Sequence, residues 1–233
     1  MNQPTSKLDR HIAEINEIYP PIICCWKLLS GLILWIISPT LMIAKIVKPS
    51  RAGYRSTVIV GLNWFYLIFA LATLAYLILQ LDNSLESLRT LSCKGWYVWV
   101  WFLVSRCNEV FLAFYRDAFD KLSGKQTASD LTPARRVRLA LNSYVELIID
   151  FALLYALLPG RMWSTAPTKI TEVLWISAST ITTSGSAGYP PIHWLPQFIS
   201  TFEIFSGVIL LVVCFTIYVG RNPENAEDKG KES

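Results

Sequence analysis

Histidine is nearly missing from this chain of 233 residues: only His11 and His193 occur, far apart and near no cysteine cluster. That argues against a metal site, which draws its ligands from clustered His, Cys and carboxylates. The five cysteines (Cys24, Cys25, Cys93, Cys107, Cys214) are odd in number and form no C-x-x-C, so they read as packing residues. No G-x-S-x-G elbow and no Gly-rich phosphate loop occurs, which removes the usual sequence signs of a hydrolase or a nucleotide enzyme. Charge is sparse at 16%, and the formal net charge of +4 comes from scattered loop lysines and arginines, not a patch for nucleic acid. No repeat of fixed period appears. No cleavable leader is expected, because the first 21 residues are polar and end in Pro20-Pro21.

Long apolar runs are what the chain has instead. Hydrophobic residues make up 53% of it and mean hydropathy is +0.40. Residues 57–81 hold no charge over 25 positions. As a helix they would extend about 37 Å, enough for a hydrocarbon core of about 30 Å. Residues 28–44 are also uncharged but shorter, and 139–158 and 197–219 complete four candidate spans. Several of the nine Trp fall near span ends, where aromatic belts meet the water interface. The chain is therefore expected to be an all-α, multi-pass protein of the cell membrane, with lipids as its surroundings.

The order expected is a polar N-terminal tail (1–21), N-terminal membrane helices with an amphipathic connecting helix (22–138), a C-terminal membrane module (139–221) and a polar tail (222–233). The segment from Trp96 to Tyr115 has a helical pattern and carries Arg106, Asn108 and Glu109 at its centre. It reads as a further span with a buried Arg106/Glu109 pair, or as a helix lying in the interface. Positive charge should face the cytoplasm. Lys45, Lys48, Arg51 and Arg55 mark one such loop, and Arg116, Lys121, Lys125, Arg135, Arg136 and Arg138 another. Two cytoplasmic loops require two crossings between them, which favours five spans over four and puts the N-terminus outside.

The C-terminal module is the most informative. Its first helix carries Asn142, Glu146 and Asp150 four apart, hence on one face. A polar stripe in a membrane helix must face protein or water. It reads as an interhelical contact, with Arg106 as the candidate partner, in preference to an ion path. Pro159-Gly160 should end that helix. A short apolar helix then runs from about Thr168 to Thr182 and ends in Thr182-Thr183-Ser184-Gly185-Ser186-Ala187-Gly188. It is too short to cross a membrane. Its C-terminal end carries partial negative charge, which favours a nearby cation. Irregular backbone at membrane depth is tolerated where it is buried in protein or lines water. Small residues there leave bare carbonyls free to meet an ion. The plainer reading is a Gly/Ser loop that turns the chain.

The segment WISASTITTSGSAGYPP resembles the pore helix and selectivity filter of tetrameric potassium channels, W-x-S-x-x-T-x-T-T-V-G-Y-G-D-x-x-P. Without gaps, Trp175, Ser177, Thr180, Thr182, Thr183, Gly185 and Pro191 fall on family positions, and Gly207 falls where the inner helix has its hinge glycine. The likeness covers residues 139–221. It implies a re-entrant pore helix between two spans, a homotetramer around a central axis, and a monovalent cation, potassium by architecture, as the permeant species. No cofactor and no catalytic residue are implied. The filter would be Thr182 to Gly188, with carbonyls of Thr183, Ser184, Gly185 and Ser186 on the path and Gly207 as gating hinge. Glu203 would anchor the filter support or a neighbouring helix. Departures stand beside the matches. Ser186 replaces the filter tyrosine, Ala187 the second glycine, and Gly188 the aspartate that ties filter to pore helix. These changes motivate a second reading, a non-conducting scaffold or sensor that keeps the pore fold. A membrane hydrolase built on Ser184 would need a base beside it. No span shows arginines at every third position, the pattern of a voltage sensor.

Overall fold

The computed structural model describes residues 52–80, 83–90, 96–123 and 131–213. The expected first span, most of the basic loop beginning at Lys45, and both polar tails lie outside the described residues. What is described is all-helical, without strands: α1 (Ala52–Gln80), α2 (Leu85–Thr90), α3 (Trp96–Leu122), α4 (Pro133–Leu157), a 3₁₀ turn (Gly160–Met162), α5 (Ile170–Ile181) and α6 (Trp194–Val208). A π-helical turn, Ile209–Val213, continues α6. Four helices are long and apolar enough to cross a membrane: Ser56–Gln80, Tyr97–Asp120, Ala134–Leu157 and Trp194–Leu211. They fit a multi-pass membrane protein. The Trp96 segment is one of them, as the five-span reading requires.

Helix α1 shows how sequence sets orientation. Asn63, Leu67, Ala70 and Leu77 are buried, while Trp64, Phe65, Ile68, Phe69, Tyr76 and Leu79 are exposed. The buried set recurs at helical spacing and forms one inward stripe. The apolar outer face is what lipid would cover. In α3 the inward stripe is Leu103, Arg106, Cys107 and Val110, and Tyr97, Val98, Trp101 and Val104 point out.

Helix α4 is the axis on which the others pack: α1, α3, α5 and α6 all lie against it. It is apolar on nearly every side from Leu147 to Leu158, as a fully enclosed helix must be. Phe151 meets Phe202 of α6 edge-on at 5.9 Å between ring centroids, and Phe202 also meets Phe111 of α3 at 5.3 Å. The helix begins earlier than its apolar run. Thr132 caps it by accepting from the Arg135 N–H, and Pro133 occupies the first turn. Arg135, Arg136 and Arg138 are therefore helical residues, not loop. Arg136 is buried and pairs with Asp117 of α3 at 2.8 Å.

The α1–α2 connection grips the start of α5. Asn83, at φ +59°, accepts from the Ile170 N–H through its carbonyl and from the Thr171 N–H through its side chain. Its amide donates to the Thr171 hydroxyl at 2.9 Å, and the Leu85 N–H donates to the Thr168 carbonyl at 2.9 Å. The free N–H groups that every helix start presents are thus met by another part of the chain.

Glu172 closes the same end. Its carboxylate accepts from the Thr168 N–H at 2.7 Å and the Lys169 N–H at 3.2 Å. Slight burial alone would raise its pKa, but these backbone donors, the Thr168 hydroxyl and the Lys169 charge together hold it below the usual carboxylate range. A depressed carboxylate stabilises the fold above its unfolded pKa and loses that contribution as pH falls through the folded one. The melting temperature of the wild type should therefore exceed that of Glu172→Gln at neutral pH. The gap should close as the medium is acidified through the range where Glu172 takes up its proton.

Candidate functional site

The chain leaves the end of α4, runs through α5, turns at 182–188 and returns to the start of α6. Departure and return meet side by side. Trp163 and Pro191 form an antiparallel bridge, the Ser164 N–H donates to the Pro190 carbonyl at 3.0 Å, and the Ile192 N–H donates to the Met162 carbonyl at 3.0 Å. The observed limits of α5, Ile170–Ile181, match the expected short helix to within two residues.

The far end of α5 is fixed by two contacts. The Ser177 hydroxyl, with one proton to donate, lies within hydrogen-bond reach of the Ile148 carbonyl of α4 at 2.8 Å and of Glu203 of α6 at 2.5 Å. Glu203 is wholly buried and also accepts from the Tyr155 hydroxyl of α4 at 2.6 Å. Tyr155 in turn meets Ser200 at 2.9 Å. One carboxylate thus joins three helices, the anchoring role that the sequence suggests for it. Tyr155 and Ser177 were not singled out by the sequence as partners. The one signal was a hydroxyl on an otherwise apolar stretch of α4, which must find a polar partner when buried. Removing a donor from a buried carboxylate costs about 1–3 kcal/mol. Tyr155→Phe is expected to lose an amount in that range, read by thermal unfolding in detergent, and Glu203→Gln should lose less than Glu203→Ala.

Gly207 is where α6 meets the tip of α5. A Cβ there would stand 2.7 Å from Ile181 Cγ1 and 2.9 Å from the Ile181 carbonyl oxygen. Glycine is required by close approach, since real Cβ atoms do not come so near. Close packing against Ile181 therefore accounts for a glycine here, apart from the hinge role that the resemblance implies. The π-helical turn begins two residues later, at Ile209. Such turns widen the helical ladder locally and gather at functional positions.

The 182–188 strip is built from two turns. The Ser184 N–H donates to the Ser179 carbonyl at 2.8 Å and the Thr183 N–H to the Thr180 carbonyl at 2.9 Å. With Thr183 at φ +59°, this is a Schellman end to α5. Glycine normally holds that left-handed position. A β-branched residue there is an outlier, and such outliers concentrate at functional sites. The second turn has Ala187 at φ +52° and Gly188 at φ +87°, closed by the Tyr189 N–H donating to the Ser186 carbonyl at 2.9 Å. The Ser186 carbonyl is therefore engaged within the strip, which differs from the expected path of four open carbonyls. Among the described residues, no backbone N–H is paired with the carbonyls of Thr183, Ser184 or Gly185.

Thr182, Thr183, Ser184, Gly185 and Gly188 are exposed, and Ser186 and Ala187 half-buried. A Cβ at Gly185 or Gly188 would meet nothing within 4 Å, so their positive φ is what calls for glycine. The Ser184 hydroxyl meets the Thr182 hydroxyl at 3.1 Å. Trp175, on the same helix, is 62% exposed although the helix faces α4 and α6 with its other side.

The polar stripe of α4 is an interhelical contact for two of its three members. Arg106 Nε donates to Glu146 Oε1 at 2.5 Å and Nη2 to Oε2 at 3.1 Å. Arg106 Nη1 also lies 2.8 Å from Glu109, and its Cζ sits 3.9 Å above the Tyr66 ring centroid. Asn142 donates to Asn63 at 3.1 Å, and Asn63 donates to Ser143 at 2.8 Å. The third member, Asp150, takes no part in these bonds.

No protein-family model matches this chain, and neither a curated protein nor a solved structure proves similar to it.

Proposed function

We propose that the protein is a subunit of a cation channel, conducting monovalent ions through a ring of 182–188 strips contributed by four copies. One observation carries this reading. A short helix, pinned at both ends between apolar helices, terminates in an exposed strip whose Thr183, Ser184 and Gly185 carbonyls accept no backbone N–H among the described residues. Unpaired carbonyls are costly at membrane depth unless water or an ion meets them. Hard cations are bound by such oxygens.

Depth supports the same reading. Gly207, which touches the tip of α5, lies about 20 Å along α6 from Trp194 at 1.5 Å per residue. If Trp194 lies at the membrane surface, a helix whose tip meets Gly207 and whose chain then turns back would be re-entrant. The C-terminal end of α5 then aims its partial negative charge at the strip. A single strip covers one side of a path, and closed cyclic symmetry completes it. The exposed side of α5 and α6, with Trp175, Phe198 and Phe205, is the surface neighbouring copies would cover.

A second reading, a non-conducting scaffold, is favoured by one feature: the Ser186 carbonyl closes a turn instead of facing outward. Cation flux through proteoliposomes separates the two. A channel should pass cations at a rate that scales with reconstituted protein. Absence of flux from intact, correctly assembled oligomers overturns the channel and leaves the scaffold.

A further inference from the structure

The end of α3 and the start of α4 meet at one face of the bundle. Arg136 of α4 reaches Asp117 of α3 at 2.8 Å and donates through Nε to the Leu131 carbonyl at 3.1 Å. These bonds fix the corner. Three other arginines surround it, and Arg116, Arg135 and Arg138 are all exposed. Among the described residues, no ion pair holds any of the three. Asp117 is committed to Arg136, and Asp120 is half-buried. The fold therefore gains little from these side chains. Arg135 and Arg138 even stand in the first two turns of α4, where a helix carries partial positive charge, and no acidic residue in the first turn offsets it.

Depth says what they meet. The apolar stretches able to cross a membrane end at Asp120 in α3 and begin at Ala134 in α4. Arg116 lies four residues before the one limit and Arg138 four after the other, each about 6 Å inside it at 1.5 Å per residue. A long arginine stem spans that distance, lying along apolar surroundings and keeping its charge at the surface. Phe111, Tyr115 and Phe119 stack in a row beside Arg116, with 6.2 Å and 6.3 Å between successive ring centroids, and the last two are exposed. Exposed aromatics at the end of a span mark the same water interface.

We propose that Arg116, Arg135 and Arg138 form a collar that binds the phosphate headgroups of anionic phospholipids at this face of the membrane. A guanidinium suits phosphate because its paired N–H donors match two of the oxygens. A zwitterionic headgroup carries phosphate too, but its own cation offsets the attraction, so the collar selects lipids of net negative charge. The proposal needs the bundle to be membrane-embedded and does not depend on ion conduction.

Native mass spectrometry of the full chain tests it, with protein released from nanodiscs of equal phosphatidylglycerol and phosphatidylcholine with the same acyl chains. Wild type should retain phosphatidylglycerol in preference. Arg116→Gln/Arg135→Gln/Arg138→Gln should lose that preference, by about fivefold for each arginine removed. Its melting temperature in pure phosphatidylcholine should match wild type, because Arg136 and its bonds are untouched. The single Arg135→Gln should lose about fivefold and gives the same reading if the triple variant does not fold. The matching lysine variant keeps the charge and should keep most of the preference. The proposal is overturned if wild type shows no preference, or if the glutamine variants retain it, as arginines that only set topology would. It is also overturned if inorganic phosphate, at fixed ionic strength, raises the wild-type melting temperature in phosphatidylcholine as much as phosphatidylglycerol does, which would mark a site for soluble anions.

Discussion

Arg106→Ala should be the most damaging single substitution in the bundle, costing about 3–5 kcal/mol, because it leaves two buried carboxylates without their cation. Arg106 holds Glu146 with two nitrogens and Glu109 with a third, and all three groups are less than a tenth exposed. Removing one partner of such a group exposes the full desolvation cost of the others, which is larger than the net value of the pairing. Lysine should rescue poorly. An ammonium is a point charge and cannot present the planar fork that meets Glu146 bidentately. The cation–π contact with Tyr66 would weaken as well. Unfolding in a graded denaturing detergent reads the loss. The double variant Arg106→Ala/Glu146→Gln should recover part of it, since it removes one of the stranded charges. If Arg106→Ala and the double variant lose equal stability, the pair does not carry the coupling assigned to it.

Gly207→Val should abolish function while leaving the N-terminal helices folded. Even an alanine methyl would overlap Ile181 Cγ1 and its backbone carbonyl, so α5 must move away from α6. Overpacking of this kind costs about 1–3 kcal/mol, and the bulkier valine should stand at the upper end. The Ile181 carbonyl is the greater obstacle, because backbone cannot change rotamer. Ile181→Ala should therefore rescue Gly207→Ala only in part, by clearing the side-chain overlap alone. The functional loss should exceed the loss of stability, because the displaced element is the one that ends in the 182–188 strip. Cation flux and melting temperature measured on the same preparations distinguish the two effects. Wild-type flux in Gly207→Val would show that α5 need not sit against α6.

The helical bundle was legible in the sequence wherever burial is a matter of composition. The uncharged run at 57–81 became α1, and Pro159-Gly160 ended α4, because long apolar runs and helix breakers act locally. The start of α4 was not legible in this way. Arg135, Arg136 and Arg138 look like a loop until Thr132 and Pro133 are seen as a cap and first turn. The candidate site divides similarly. The short helix and its Thr/Ser/Gly ending were visible in spacing, and the Glu146 stripe already pointed to Arg106. The Asn83 grip on Thr171 spans 88 residues and the Tyr155–Glu203 bond 48, and no periodic pattern records such pairings. The turn at Ser186 was also hidden. Only the resemblance, which sets Ala187 on a family glycine position, points to the left-handed conformation it takes, one that alanine ordinarily avoids.

Ion flux from liposomes holding the purified protein, with potassium and sodium gradients compared, tests the central claim most directly. A cation flux that scales with protein and is lost in Gly207→Val is the expected result. Potassium flux well above sodium would mean that the strip forms a selective cage despite Ser186 and Ala187, and equal fluxes would mean a non-selective cation pore. No flux in either gradient, from oligomers shown to be intact, would contradict the channel and leave a bundle that keeps this architecture for another purpose.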